Sequence, residues 1–386
     1  MAIVKKEKIR SQSLDLLRFP LAVVVLTVHV FSISRGITLQ GVFIETYKSS
    51  LLMEVATVVN AFLRGQSVPI YFFISGFVFY LGLEPQVALY KRKFKNRTKS
   101  LLIPYILWNL IAALLVIVKM LPCFKGYLSY TDTELNLTLP NFLSCFWMYN
   151  GQLSLIPSGT NMAINASSSI FPINTPLWFI RDLILIVLFT PVIYKVIKSI
   201  GYYWIIGLGT LWFIGNIYYR GFGIELITAL FFFSWGAYMS INKKDMIVEF
   251  GQFFKGTMIM YPLLGGIYIL LTHWYPAAIG WIKQLNIIVG LFFAYNLASW
   301  LLSNNICKVN KFLASASFFI YISHMLICDR IVKILYLMIK PNDDWSLLSV
   351  YVMTVIVSVA ILLIVYYLMN RYTPSLLTIL AGRKAK

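Results

Sequence analysis

Residues 14–34 read LDLLRFPLAVVVLTVHVFSIS. The segment is largely apolar and has about the length, roughly 20 residues, that a helix needs to cross a bilayer. Three ionisable side chains interrupt it, at Asp15, Arg18 and His29. Because ionisable groups inside a membrane span are rare and expensive, they commonly mark a functional site. The segment therefore predicts a membrane-spanning helix that carries part of such a site.

The spacing of these side chains places them on one helix face. Arg18 and His29 are eleven residues apart, which is close to three turns at about 3.6 residues per turn. At a rise of about 1.5 Å per residue they lie about 16 Å apart along the axis. Asp15, three residues before Arg18, shares the face. Asp15, Arg18 and His29 thus form a stripe along the helix, with a cation at one end and a titratable base at the other. Such a stripe suits a long ligand that has an anionic group at one end and a reactive group at the other.

His29 is the candidate general base. Burial in an apolar bundle disfavours a charged imidazole, so a neutral His29 is expected to accept a proton from a hydroxyl group. The alternative is structural: His29 hydrogen-bonds a neighbouring helix, while Arg18 and Asp15 form an ion pair at the cytoplasmic interface. The spacing alone is compatible with both interpretations.

The composition of the whole chain is that of a membrane protein. Of its 386 residues, 59% are hydrophobic and 12% are charged, with a mean hydropathy of +0.78, whereas soluble domains carry about 25% charged residues. We predict an all-α polytopic membrane helical bundle of about ten transmembrane helices, forming a single integral-membrane domain over residues 1–386. The predicted spans are 14–34, 68–83, 101–121, 176–194, 202–219, 224–240, 256–272, 284–302, 312–330 and 347–369.

The basic residues set the predicted orientation. With the N-terminus inside, the inner segments hold 21 of the 33 Lys and Arg residues, which is the bias that the positive-inside rule expects. Both termini are then cytoplasmic, with a cytoplasmic tail at 370–386, and the polar loop at 122–175 is extracytoplasmic. The same distribution accounts for the formal charge of +19, so we expect no nucleic-acid partner.

The cysteines and histidines do not predict a metal site. The four cysteines lack metal-type spacing, and the three histidines are dispersed along the chain. Cys123 and Cys145 both fall in the predicted outer loop, where they could pair or remain free thiols. The first apolar segment lacks a small-residue cleavage site, so we expect it to stay as a span rather than to be removed as a signal peptide.

The second and third predicted spans carry two further candidates. Ser75-Gly76 permits a close approach of two backbones, and Gly76 by itself fits ordinary helix packing equally well. Ser75 offers a hydrogen-bonding group to a cavity. Arg97 lies where the third span enters the membrane from inside. Its guanidinium could donate two hydrogen bonds to a phosphate, or the residue could simply anchor the helix at the membrane surface.

Polar residues also occur in the fourth and ninth predicted spans. Arg181 and Asp182 are adjacent and follow Trp178, a residue typical of an aromatic belt. The pair is either structural or lines the path of an acceptor. In the ninth span, Tyr321 and His324 are three residues apart and share a helix face.

These segments, in this order, resemble the acyltransferase-3 family of membrane proteins, which includes O-acetyltransferases of bacterial polysaccharides. The most specific likeness is the family's Arg-x10-His signature, matched by Arg18 and His29. Members often carry a second arginine three residues after the one that matches Arg97. Here that position is Ser100, and Lys99 is the nearest substitute. The other matching segments, which extend the resemblance over nearly the whole chain, are Phe73-x-Ser75-Gly76-Phe77, Ile103-Pro104-Tyr105, Pro176-Leu177-Trp178-Phe179, Phe233-x-x-Gly236-Ala237-Tyr238 and Ser317…Tyr321-x-x-His324.

The resemblance implies a donor, an acceptor and a base. Acetyl-CoA or another acyl-CoA would enter from the cytoplasmic face as donor substrate, with its phosphates at Arg18 and Arg97 and with Lys99 as a possible further contact. Asp15 would orient Arg18. The thioester would lie near His29, which would deprotonate a hydroxyl of a surface glycan or of a lipid-linked sugar.

The resemblance also implies substrate contacts and a location. The residues that it offers for substrate binding are Ser75, Trp178, Arg181, Tyr321 and His324. The expected location is the bacterial cytoplasmic (inner) membrane, which the chain would cross several times. Because the chain ends soon after the last predicted span, we expect the stand-alone type, without an appended esterase-like domain. No metal is implied.

Two other classes of function are compatible with the residues alone. A transporter or flippase of a glycan or lipid intermediate would also place charged residues in its spans, although the paired broken helices of inverted repeats are not evident. A non-catalytic membrane scaffold or sensor would leave acylation unaffected by substitutions at Arg18 or His29. The sequence leaves the acceptor, the acyl group and the oligomeric state open.

Overall fold

A computed structural model of the chain is mainly helical. It describes residues 2–32, 36–39, 42–82, 87–120, 138–149, 171–218, 222–275 and 279–382. Two short antiparallel strands, β1 (Ile37–Leu39) and β2 (Val42–Ile44), form a hairpin that the sequence analysis does not predict. The helices are α1 (Ala2–Ser32), α2 (Ser50–Phe62), α3 (Ser67–Tyr80), α4 (Val87–Met120), α5 (Leu139–Ser144), α6 (Trp178–Leu188), α7 (Thr190–Ile200), α8 (Tyr202–Tyr218), α9 (Phe222–Ile241), α10 (Met246–Gly251), α11 (Phe254–Trp274), α12 (Ile279–Ser303), α13 (Lys311–Ile339), α14 (Asp344–Tyr372) and α15 (Pro374–Leu380).

Seven helical stretches among the described residues are long and apolar enough to cross a membrane. They are Lys8–Ser32, Ser50–Tyr80, Lys91–Val118, Gly223–Ile241, Phe254–Trp274, Ile279–Ser303 and Asp344–Tyr372. A bent pair of helices, Thr175–Leu188 and Thr190–Ile200, is an eighth candidate. The predicted all-α polytopic bundle is therefore confirmed. The number of ten and the cytoplasmic location of both termini stay predictions, since α8 and α13 lie outside this set.

The predicted span at 176–194 is wrong as a single straight helix. α6 ends at Leu188, α7 begins at Thr190, and the two are bent by 65°. Pro191 occupies the first turn of α7, where it supplies no N–H for a continuous helix and its ring would clash with the carbonyl of the preceding turn. The Tyr80 hydroxyl donates to the Thr190 carbonyl at 2.6 Å, which satisfies a backbone group at the break.

The chain forms two compact units. The first unit comprises Met1–Phe31, Glu54–Arg97 and Leu185–Ile320, and the second comprises Ser32–Met53, Thr98–Ile184 and Tyr321–Lys386. Of the predicted outer loop at 122–175, the structure describes residues 138–149 and 171–175. The single integral-membrane domain over 1–386 stays a prediction.

Two glycines hold α3 and α9 in close contact in the first unit. A Cβ atom on Gly76 would lie 2.0 Å from the Phe233 carbonyl oxygen, and one on Gly236 would lie 2.0 Å from the Phe73 carbonyl oxygen. The contact is therefore reciprocal, with each glycine seated against the backbone of the other helix. Small residues that allow such an approach are typical of helix pairs in membranes. The structure thus gives Gly76 the packing role that the sequence left as one alternative.

We expect Gly76→Ala to destabilise the first unit by about 1–3 kcal/mol or more, because an added methyl group forces the two backbones apart. The matched control is Gly266→Ala in α11, where a Cβ would meet nothing within 4 Å. Thermal unfolding of the two variants in detergent measures the difference. Equal unfolding temperatures for both variants would contradict the close contact.

Hydrogen bonds between distant segments organise the second unit. The Asn174 backbone N–H donates to Asn109 Oδ1 at 3.2 Å, and its side-chain Nδ2 donates to the Ile322 carbonyl at 3.1 Å. The hydroxyl groups of Thr46 and Tyr351 are hydrogen-bonded at 3.1 Å. The Asn174 contacts fix the short segment that leads into α6. They therefore also fix the start of α6, which carries the candidate residues Trp178 and Arg181.

Cys145 is a buried free thiol in the second unit. Its Sγ donates to the Asn141 carbonyl at 3.6 Å, and burial raises its pKa to about 11. A thiol with so high a pKa remains protonated at neutral pH and is a poor nucleophile. Cys123, the other cysteine considered for a pair, lies outside the described residues.

Candidate functional site

The stripe predicted on the first span is built on one continuous helix. α1 runs through Pro20 without a break, so the helical spacing between Arg18 and His29 is preserved. Arg18 Nη1 lies 2.9 Å from Asp15 Oδ1, and both side chains are about 40% exposed, at 40% and 38%. The ion pair fixes the direction of the guanidinium and leaves it accessible to an anionic ligand.

Two residues from other helices of the first unit meet the Arg18 end of the stripe. The Tyr71 hydroxyl, on α3, donates to the Arg18 carbonyl at 2.7 Å. Arg97, on α4, interacts electrostatically with Arg18. The two positive charges repel each other. An anion that binds both arginines would relieve this repulsion. The two arginines that the sequence offered for phosphate binding therefore act on each other electrostatically in the structure.

His29, at the other end of the stripe, is partly buried. It interacts electrostatically with Arg64, which lies between α2 and α3. The sequence analysis does not select Arg64. The rule that singled out Arg18, an ionisable residue within an apolar stretch, could have found it, since the span candidate Ser50–Tyr80 includes it.

Ser75 and Lys99 have different relations to this cluster. Ser75 is partly buried and lies four residues after Tyr71 on α3, so the two share a helix face. Lys99 is exposed and follows Arg97 by two residues on α4. Residues two apart on a helix do not face the same way, so Lys99 does not share the face of Arg97.

Arg181 and Asp182 form a buried ion pair in the second unit. Arg181 Nε lies 2.8 Å from Asp182 Oδ1, and the side chains are only 2% and 0% exposed. Arg181 Nη1 also donates to the Trp147 carbonyl at 2.8 Å, and its guanidinium lies 5.3 Å from the centre of the Trp147 ring. These contacts tie α6 to the segment after α5, which favours the structural interpretation of the pair.

The remaining predicted residues also lie in the second unit. The Tyr321 hydroxyl donates to the Pro176 carbonyl, and its ring packs edge-on against Phe179 at 5.6 Å. His324 is fully buried, and its Nδ1 lies 2.7 Å from the Tyr321 carbonyl. A carbonyl can only accept, so Nδ1 carries the proton. Trp178 is partly buried, with its ring 6.1 Å from that of Phe171.

The described residues contain no cluster of three or more His, Cys, Asp or Glu side chains that could hold a metal ion. His273 is exposed, and its Nε2 lies 3.1 Å from Glu54 Oε1. Both residues are in the first unit, and their ion pair does not involve Asp15, Arg18 or His29. His273 therefore serves as a useful comparison for His29.

Comparison with known proteins identifies a family. A family model described as an acyltransferase domain, the Acyl_transf_3 model, matches residues 11–367. This range begins four residues before Asp15 and includes every candidate residue described above. No curated protein and no solved structure matches the chain.

Proposed function

The chain belongs to the acyltransferase-3 family, whose model it matches over residues 11–367, and from that membership we propose its reaction. Membership makes it a membrane acyltransferase. We propose that it transfers an acetyl or related acyl group from acyl-CoA to a hydroxyl of a glycan or of a lipid-linked sugar. The proposed location is the bacterial cytoplasmic membrane.

The observation that carries the proposal is the arrangement along α1. Arg18 and Arg97 interact at one end of the stripe, and His29 lies at the other. An acyl-CoA has phosphates at one end and a thioester at the other, joined by a long flexible arm. The phosphates would bind the two arginines, and the arm would run along α1 toward the imidazole over a distance of about 16 Å.

His29 would act as general base in the transfer. It would take the proton of the acceptor hydroxyl as the oxygen attacks the thioester carbonyl carbon. A carbon–oxygen bond forms, the carbon–sulfur bond breaks, and the leaving thiolate of CoA takes up the proton from the imidazolium. The base is then neutral again, and no metal or redox partner is needed to balance the step.

Other residues would position the substrates. Asp15 orients Arg18 through their ion pair, and Ser75 shares a helix face with Tyr71, whose hydroxyl binds the Arg18 carbonyl. Tyr321, His324, Trp178 and Arg181, which belong to the second unit, are proposed as substrate-binding residues. Lys99 remains a proposed donor contact, although it does not share the helix face of Arg97.

A labelling experiment tests the reaction. Membranes that contain the chain are given acetyl-CoA labelled in the acetyl group, together with the glycan of the host. Label in the glycan fraction that depends on the chain supports the proposal. Movement of a glycan or lipid intermediate across the membrane without acyl-CoA consumption would instead support a transporter or flippase.

We expect Arg18→Gln to raise the KM for acetyl-CoA about 10- to 100-fold, because a charge-assisted hydrogen bond to a phosphate contributes about 1.5–3 kcal/mol. S-acetylpantetheine, which has the thioester but no phosphates, is the matched control. The variant and the parent should use it equally well. An equal loss with both donors would contradict a phosphate-binding role for Arg18.

A further inference from the structure

A second positive charge lies at the His29 end of the stripe. Arg64 interacts electrostatically with both His29 and Tyr268. It is exposed, and its Nη1 donates to Asn60 Oδ1 at 3.2 Å. The guanidinium is therefore exposed, is hydrogen-bonded to α2, and acts electrostatically on the proposed base.

A break between α2 and α3 sets the position of Arg64. The break contains Gly65, whose φ of +90° lies in a region that favours glycine. Gln66 Nε2 donates to the Asn286 carbonyl at 3.0 Å, and Asn286 Nδ2 donates in return to the Ala61 carbonyl at 2.9 Å. These two hydrogen bonds fasten the break to α12, so Arg64 projects from a well-defined part of the first unit.

Buried side-chain oxygen atoms without a hydrogen-bond partner among the described residues occur at the break and on α12, to which the break is hydrogen-bonded. Four side-chain oxygen atoms there are buried and have no hydrogen-bond partner among the described residues. They belong to Gln66, Ser67, Gln284 and Asn286, and each of these residues is at most 6% exposed. Unsatisfied buried polar atoms are costly in apolar surroundings.

The charges around Arg64 indicate the sign of the charge on a ligand that binds there. In the part of the chain that the structure describes, no carboxylate forms an ion pair with Arg64. Glu54, the acidic residue of α2, instead lies 3.1 Å from His273. During the proposed reaction His29 becomes positively charged in the field of this guanidinium, which is unfavourable unless a negative charge is also present.

We propose that Arg64 binds a negatively charged group of the acceptor, a carboxylate or a phosphate, and so brings the acceptor hydroxyl to His29. This inference rests on the proposed function, in which His29 is the base. The acceptor is then an anionic sugar or a sugar attached through phosphate. Its charge offsets that of Arg64 while the proton is on His29.

Ligand binding without a donor tests this inference separately from catalysis. The full chain in lipid nanodiscs is titrated calorimetrically with three probes: 4-nitrophenyl β-D-glucuronide, glucose 1-phosphate and the neutral 4-nitrophenyl β-D-glucoside. The first two probes distinguish a carboxylate from a phosphate. We expect at least one of them to bind the parent about 10-fold or more tightly than the neutral glycoside, as a charge-assisted contact predicts.

Variants at Arg64 complete the test. Arg64→Gln should abolish the preference for the anionic probe, and Arg64→Lys should retain part of it. Arg371→Gln, at an exposed arginine near the end of α14, should leave the preference unchanged. Equal affinities for the three probes, no detectable binding of either anionic probe, or an unchanged preference in Arg64→Gln would each overturn the inference. Anion binding that depends on Arg64 without any acyl transfer would uphold the site and refute the proposed function.

Discussion

Replacing His29 by glutamine is expected to lower kcat for acyl transfer about 10²- to 10⁴-fold, the usual contribution of a positioned general base. Glutamine keeps a polar group of similar size on the same face of α1 but cannot take up the proton of the acceptor hydroxyl. The KM for acetyl-CoA should change little, because the phosphates are proposed to bind at the far end of the stripe. Initial rates of labelled acetyl transfer at several donor concentrations measure both quantities.

The control for this prediction is His273→Gln. His273 belongs to the same unit but is exposed and paired with Glu54, so its replacement should leave transfer unchanged. Equal transfer by the parent and the His29 variant would refute the role of His29 and move attention to His324. Loss of transfer in both His29→Gln and His273→Gln would point instead to general destabilisation.

Replacing Arg181 by methionine is expected to destabilise the protein by about 3–5 kcal/mol, because it leaves the Asp182 carboxylate buried without its cation. Arg181 also donates to the Trp147 carbonyl at 2.8 Å, so the substitution removes a second buried hydrogen bond. The yield of folded protein in detergent and its unfolding temperature should both fall clearly.

A double variant separates the structural role of this pair from a role in binding. Arg181→Met combined with Asp182→Leu removes both charges and should recover much of the lost stability, as is common for buried pairs replaced by apolar residues. If the double variant folds and also transfers acyl groups normally, the pair is structural. A folded double variant with a raised KM for the acceptor would support the alternative, that Arg181 contacts the substrate.

The part of the site that could be predicted from the sequence lies within single helices. Asp15, Arg18 and His29 share a face because helical periodicity is a local property, and the ion pair between Asp15 and Arg18 at 2.9 Å follows from a spacing of three residues. Tyr321 and His324 share a helix face for the same reason. None of these relations requires knowledge of any other part of the chain.

Contacts between helices could not be predicted in the same way. The electrostatic influence of Arg64 on His29 and the hydrogen bond from Tyr71 to the Arg18 carbonyl relate residues that are 35 and 53 positions apart in the sequence. The reciprocal contact of Gly76 and Gly236 is compatible with the sequence of either helix, but nothing in that sequence identifies the partner. Such contacts depend on which helix faces pack together, and a single sequence does not encode this in any local pattern.

By itself, the sequence determined that this protein is a polytopic helical membrane protein, because apolar segments of bilayer length can satisfy their backbone hydrogen bonds only as helices. It also determined the stripe on α1, since local spacing sets the face of a helix. The tertiary structure alone decided that α6 and α7 bend by 65°, that Arg181 and Asp182 are buried, and that Arg64 acts electrostatically on His29. The physical reason is that burial and charge interactions arise between segments that are distant in the sequence. The packing of those segments determines which groups meet, and local sequence patterns do not.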